Sequence, residues 1–356
     1  MNRTNVRETI GTLLGVCYAS VTNGKHSILS TLVAGILCSF VAFAQGGGQY
    51  VVLGGVRHSA SDSIVTSYSI EAATALALEL TGKYRLIPNS VRDSLVNVYA
   101  ATDPLTAQRA ADLLGAEIIL FLNVQRVANL LRVEVALVGG EGWIVSSSGI
   151  GYAVAVLRDN TTGKLIADPA LLAATQRALC GALLERNLYA AADSEFVVTP
   201  TRLAAVGSVV FSTADTALVP WSVVREKIPA SYDVASTIVA ALRAHDTITV
   251  VDLESRDSLY AMAGLYMVEN YNPLTSQELK ILRGFDVETI ITGEVTRVRG
   301  GATVTLHINA IGSDMSYTPV KSASARVTVD SKRALQDGVR ECLRTLFGKI
   351  TEPRAR

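Results

Sequence analysis

Two identical tetrapeptides are the most prominent candidates for chemistry in this chain. The sequence Arg-Asp-Ser-Leu occurs at residues 92–95 and again at residues 256–259. The repeated acidic residue could belong to a duplicated carboxylate site. However, Ser90 precedes Asp93 by three residues, which is the spacing of a capping box at the amino end of a helix. A capped helix explains the motif without catalysis, and we expect its leucines to point inward. The positions interpreted as structural are Arg92, Asp93, Leu95, Arg256, Asp257 and Leu259.

Other reactive side chains are sparse. The histidines that follow the amino-terminal region, His58, His245 and His307, form no local metal-binding pair. We expect His307, on the polar face of a predicted strand, to be exposed or hydrogen bonded. Cys180 and Cys342 lie on predicted apolar helices, where buried thiols are common, and a disulfide between them is the alternative. The sequence therefore predicts no catalytic residue, no metal site, no cofactor and no enzymatic activity.

The overall charge is balanced, with 32 basic and 32 acidic side chains. A protein that binds nucleic acid usually carries a basic surface, so the balance argues against nucleic acid as a partner. The hydrophobic fraction of 49% indicates folded cores rather than disorder. No small-molecule partner is identified from the sequence, and peripheral association with a membrane stays open.

The first 44 residues have the features of a signal peptide. Basic residues precede an uncharged run at 28–44, which is shorter than the roughly 20 residues of a membrane span. The run ends in Ala-Phe-Ala, which predicts cleavage between Ala44 and Gln45 and a flexible tether at 45–49. An uncleaved membrane anchor is the alternative. We therefore expect an exported protein of the periplasm or cell envelope of a bacterium.

The order of repeated segments predicts an internal duplication. The two Arg-Asp-Ser-Leu motifs lie 164 residues apart, and the related segments 104–108 and 273–277 lie 169 apart. Cys180 and Cys342 correspond at an offset of 162. Matches that keep one order while their offsets drift are expected from a duplication followed by loop insertions.

Each predicted repeat contains a mixed β-sheet of about five strands packed by about four helices, an α/β (α+β) fold. We place the first repeat at 50–188, a linker at 189–202, the second repeat at 203–350 and a tail at 351–356. One helix of each repeat is predicted to end at a left-handed glycine, Gly115 in the first repeat and Gly284 in the second. Thr275 and Glu278 predict a capping box at the start of the latter helix.

The second repeat carries motifs of a known superfamily. An arginine and a leucine follow its second strand, and a later strand has a characteristic pattern of apolar residues and glycine. The matching positions of that pattern are Leu282, Gly284, Ile290, Ile291, Gly293 and Val295. This arrangement resembles the superfamily that contains the curli-secretion protein CsgG, the TolB amino-terminal domain and the lipoprotein activators of penicillin-binding proteins. The first repeat departs from the pattern, with Leu122-Asn123 where the glycine belongs.

The resemblance implies a non-enzymatic envelope protein that works through protein contacts and assembly. Its expected partner is another envelope protein or further copies of this chain. The sequence lacks the small residue that precedes a lipoprotein cysteine, since Leu37 precedes Cys38, and lipid anchoring is not expected. The alternative function is a periplasmic small-ligand-binding protein with its site between the two lobes.

Overall fold

The structure is a computed structural model. It describes residues 48–59, 61–99, 107–139, 144–192, 198–213, 220–243, 245–329 and 331–348. The predicted cleavage site at Ala44 and Gln45 and the predicted tail at 351–356 lie outside the described residues.

The first half of the fold begins with strand β1 (Gln49–Arg57). The further elements of this half are α1 (Ser67–Glu79), β2 (Tyr84–Leu86), α2 (Asn89–Tyr99), α3 (Ala107–Leu114), β3 (Ile118–Val127), β4 (Leu130–Gly139), β5 (Ile144–Val154), β6 (Leu157–Arg158), β7 (Leu165–Ile166) and α4 (Asp168–Ala182). Five of the strands form one mixed sheet in the order β2-β1-β3-β4-β5. Strand β1 is parallel to β2 and β3, whereas β3, β4 and β5 are antiparallel.

The second half repeats this arrangement. Its elements are β8 (Arg202–Thr213), α5 (Pro220–Leu242), β9 (Ile248–Val251), α6 (Leu253–Met262), α7 (Ser276–Gly284), β10 (Thr289–Val298), β11 (Gly301–Ile311), β12 (Tyr317–Val327) and α8 (Lys332–Phe347). The strands lie in the order β9-β8-β10-β11-β12, with the same pattern of parallel and antiparallel pairs. The predicted fold class, two mixed five-stranded sheets packed by helices, is confirmed. A duplication remains our interpretation of this symmetry.

Each sheet is covered on one face by a pair of helices. Helices α1 and α4 pack on the first sheet, and α5 and α8 pack on the second. The alternation of apolar side chains along the strands directs residues such as Leu120 and Val133 into the first core and Val206 and Val304 into the second. Helices α2 and α3 contact β1 and β3 of the first half.

The arginine of each Arg-Asp-Ser-Leu motif reaches an irregularity in the first strand of its half. Strand β1 shifts register between Leu53 and Gly55, and Arg92 donates a hydrogen bond to the carbonyl of Leu53. Strand β8 shifts register after Val206, and Arg256 donates to the carbonyl of Val206 over 2.8 Å. A bulge removes carbonyls from the strand ladder, so the arginine supplies donors that the neighbouring strand does not.

The start of α2 differs from the predicted capping box. The helix begins at Asn89, so Ser90 lies inside it and does not cap it. Glu71 of α1 supplies the acceptor instead, receiving hydrogen bonds from the Asn89 backbone N–H at 2.8 Å and side-chain amide at 2.9 Å. In the second half Asp252 caps α6 by accepting from the backbone N–H of Ser255. The equivalent position in the first half is a proline, Pro88, which has no side-chain acceptor.

The predicted helix-ending glycines behave differently in the two halves. Gly115 has a φ of 67° and follows α3, as predicted. Gly284 is the last residue of α7 and is not left-handed; Asp286, with a φ of 62°, takes the left-handed position. The prediction for Gly284 is therefore wrong, because Gly284 still belongs to α7 and the helix is capped by the next residue, Phe285. The capping box of Thr275 and Glu278 is confirmed.

Polar contacts join the two halves. Asn129, in the turn between β3 and β4, donates to Asp252 over 2.9 Å. Asp286 accepts from Tyr152 over 2.5 Å and from Arg132 over 3.0 Å. Burial, together with the bonded carboxylate, raises the pKa of Tyr152. The left-handed backbone of Asp286 thus holds a carboxylate that ties the second half to the first sheet.

The connection from β5 to α4 contains a small hairpin that the sequence did not predict. Residues 155–167 form β6 and β7, whereas the equivalent connection from β12 to α8 has only four residues, 328–331. Tyr189, at the start of the predicted linker, is only 1% exposed and packs in the first core.

In the described parts of the chain, no helix combines the length and hydropathy needed to cross a membrane.

Candidate interaction surface

Large apolar side chains are exposed where α6 ends. Met262 is the last residue of this helix and is 75% exposed. Gly264, with a φ of 84°, lets the chain turn away from the helix. The following residues Tyr266 and Met267 are 79% and 94% exposed. Exposed apolar groups in close succession are unusual on a soluble protein and mark an interaction site.

The loop that carries these side chains is fixed at both ends. Leu265 and Val268 pack against a core cluster that consists mainly of residues of the second half and includes Leu130 and Tyr152 of the first. Asn270 is buried, and its carbonyl accepts from Val209 over 2.7 Å while its side chain accepts from Arg256 over 2.9 Å. The exposed residues between these anchors therefore stand on a clamped backbone. The arginine of the second Arg-Asp-Ser-Leu motif positions this loop.

A groove between α6 and α7 continues the apolar surface. Its apolar lining is Leu259, Met262, Ala263, Ile281, Phe285 and Met315. Polar residues at its edge include Gln277, Lys280 and Asp314. An apolar floor with a polar rim is the usual composition of a protein interface.

The turn between β11 and β12 adds a second methionine, Met315, to this groove. Met315 has a φ of 60°, a conformation that few residues other than glycine adopt. Asp314 accepts hydrogen bonds from the Ser316 backbone at 3.1 Å and hydroxyl at 2.7 Å. The same hydrogen bonds hold the pKa of Asp314 below its usual value, so the groove rim keeps a negative charge at neutral pH.

We call Met262, Tyr266, Met267, Ile281 and Met315 the methionine surface. The chain has four methionines, and all three beyond Met1 belong to it. Methionine side chains are flexible and polarisable and adapt to different apolar partners, while an exposed tyrosine offers a rigid anchor. This composition suits binding to apolar side chains of another protein. The sequence signal that could have found it is the concentration of methionines after residue 261.

The two Arg-Asp-Ser-Leu motifs do not form a joint carboxylate site. Asp93 accepts from Arg92 at 2.7 Å, and Asp257 accepts from Arg256 at 2.8 Å. Each aspartate thus holds the arginine that precedes it, and no hydrogen bond or ion pair among the described residues joins the motifs. Leu259 is 5% exposed, as expected for an inward-pointing residue, whereas Leu95 is only half-buried.

The histidines and cysteines occupy separate places. His307 shares a hydrogen bond of 2.7 Å with Ser322 on the exposed face of the second sheet, as predicted. Within the described residues there is no group of three or more potential metal ligands. Cys180 and Cys342 are free, buried and in different cores, so no disulfide joins the halves. Burial raises the pKa of both thiols, that of Cys342 to about 11, which disfavours the reactive thiolate.

Comparison with known proteins identifies weak structural similarities only. No protein-family model matches the sequence, and no curated protein matches it. The LpoB C-terminal domain from Salmonella enterica is 14% identical, with a TM-score of 0.26, over 36% of this chain and 82% of that one. Lipoprotein GNA1162 from Neisseria meningitidis is 12% identical, with a TM-score of 0.28, over 42% of this chain and 99% of that one. The hypothetical protein CT253 from Chlamydia trachomatis is 11% identical, with a TM-score of 0.26, over 42% and 97%. These values do not establish a family for this chain.

Proposed function

We propose that this protein is an exported, non-enzymatic component of a bacterial cell envelope that binds another protein through the methionine surface. The export signal and the superfamily resemblance of the sequence support the location. The observation that carries the mode of action is the pair Tyr266 and Met267, almost fully exposed on a loop that buried contacts hold in place.

The fixed loop favours binding over a chance exposure of apolar side chains. A flexible loop would lose conformational entropy when a partner ordered it, whereas a clamped loop presents its side chains at little further cost. The adjoining groove offers Ile281, Phe285 and Met315 for apolar side chains of the partner. The partner is an envelope protein or a second copy of this chain, and both would be recognised by the same apolar contacts.

Site-specific photo-cross-linking in intact cells tests this proposal. A photoreactive phenylalanine analogue at position 266 is expected to give a discrete adduct with one protein, because the side chain would lie within the interface. Tyr68 on α1 provides a matched control, since it is a tyrosine of the same exposure, 80% against 79% for Tyr266. The same analogue at position 68 should give no such adduct. Equal labelling at both positions, or no adduct at position 266, would contradict the proposal.

A further inference from the structure

A cavity of about 360 Å³ lies between the two halves and shares no lining residue with the methionine surface. The first half contributes residues of β5, the β6–β7 hairpin and α4, and the second half contributes residues of α5 and β9. Its walls are largely apolar, with Ala155, Ala170, Ala173, Val239 and Val250 among them. The volume is at the lower end for ligand pockets, which suits a small molecule.

The hairpin that only the first half contains forms part of this cavity. Leu157 and Ile166, one from each strand of the hairpin, line it and remain 46% and 37% exposed. Arg158 of the same hairpin lies 3.8 Å from Glu254 of the second half. The inserted residues therefore extend from the first half towards the second beside the cavity. Exposed apolar side chains at this position would be covered by an apolar ligand.

Two arginines, Arg177 and Arg243, line the cavity. Arg177 donates to the carbonyl of Tyr152 at 2.6 Å and to the hydroxyl of Thr249 at 3.3 Å. Among the described residues no carboxylate forms an ion pair with Arg177, and burial lowers its pKa. Arg243 is exposed and has no ion-pair partner in the described ranges. Arg177 also donates from Nε to the carbonyl of Thr199 at 3.3 Å, which leaves its Nη2 and the Arg243 guanidinium as the groups that can bind an anion.

Among the described residues, Asp252, the acidic residue of the cavity lining, forms no ion pair with Arg177 or Arg243. Asp252 accepts from the backbone N–H of Ser255 at 2.8 Å and from Asn129 at 2.9 Å. Its two carboxylate oxygens thus bind groups that cap α6 and join the halves. A half-buried arginine without a carboxylate partner among the described residues, next to an apolar cavity, favours an anion that also has an apolar part.

We propose that this cavity binds a small amphipathic anion, a single carboxylate on a short aliphatic chain. Its carboxylate accepts hydrogen bonds from the arginines, and its chain packs against the alanine and valine walls and the hairpin side chains. Binding of this ligand is independent of the protein contact proposed above. It specifies the chemical class of ligand for the alternative function, a small-ligand-binding protein with its site between the two lobes.

Calorimetric titration of the whole protein with sodium octanoate tests the proposal. Octanoate is expected to bind, whereas 1-octanol, which lacks the charge, and inorganic phosphate, which lacks the chain, should each bind at least about tenfold more weakly. Arg243→Ala should weaken octanoate binding by about tenfold or more, because a hydrogen bond to a charged group is lost. This variant changes an exposed side chain and leaves the hydrogen bonds of Arg177 intact.

Arg333→Ala serves as the matched control, because Arg333 is an exposed arginine of α8 that does not line the cavity. It should bind octanoate like the unaltered protein. The proposal is overturned if octanoate does not bind at millimolar concentration, if octanol or phosphate binds as tightly, or if Arg243→Ala has no larger effect than Arg333→Ala.

Discussion

Arg256→Ala is expected to lower the free energy of unfolding by about 3–5 kcal/mol, as measured by urea denaturation. Arg256 is 2% exposed, and it donates to the carbonyl of Val206 and to the side chain of Asn270. Its removal leaves both acceptors buried without a donor, at about 1–3 kcal/mol each. The cavity left by the side chain adds to this loss.

Arg92→Ala is the matched control from the first half. The Arg92 side chain is 21% exposed, and the carbonyl of Leu53 is the buried acceptor that it serves. Because water can reach this site in part, we expect a loss of only about 1–2 kcal/mol. Equal losses in the two variants would contradict the expectation that removal of the more deeply buried Arg256 is the more destabilising change.

Gly151→Ala is expected to destabilise the first half by at least about 3 kcal/mol, at the upper end of overpacking effects. A Cβ atom at this position in β5 would lie 2.0 Å from the backbone carbonyl of Ala174 and 2.6 Å from the backbone nitrogen of Ala178. The methyl group cannot fit unless α4 moves away from the sheet. This helix also carries Arg177, so the same substitution should weaken octanoate binding in the cavity.

Gly284→Ala separates this steric effect from the general effect of replacing glycine. A Cβ at Gly284 meets no atom within 4 Å, and its backbone is helical and not left-handed. Alanine should therefore stabilise α7 by up to about 1 kcal/mol. A loss of stability at this position would contradict the assignment of the left-handed position to Asp286. Both variants are compared by urea denaturation.

Much of the architecture could be predicted from the sequence because its signals are local. The alternation of Thr303, Val304, Thr305 and Leu306 gives a strand with one polar face, and Gly300, with a φ of 76°, lies in the turn before it. Local sequence patterns do not predict burial correctly where tertiary contacts determine which side chains are covered. On α1 the apolar Leu76 is 42% exposed, whereas the polar Thr74 is buried and donates to the carbonyl of Ile70.

Some elements depend on contacts that local patterns do not contain. Helix α5 continues through Pro229 to Leu242, although proline is disfavoured inside a helix. Ser231, just after the proline, is buried and donates to the carbonyls of Val209 and Lys227. These contacts anchor the helix to the sheet, so an internal proline is tolerated.

The candidate sites were less predictable than the fold. The Arg-Asp-Ser-Leu motifs are interpreted as structural, but nothing in their sequence shows that Arg256 also fixes the loop of Tyr266 and Met267 through Asn270. The cavity depends on Arg177 meeting residues about 70 positions away, such as Thr249. Such pairs arise from the packing of the two halves, and periodicity along the chain does not specify them.

Hydroxyl-radical footprinting, read out by mass spectrometry, tests most directly whether a protein covers the methionine surface. In the isolated protein, Met262, Tyr266 and Met267 should oxidise readily because they are exposed. In intact cells, their oxidation relative to that of Tyr68 should fall several-fold, because a bound partner excludes water and radicals from the interface. Oxidation ratios that are the same in cells and in the isolated protein would contradict the proposed function.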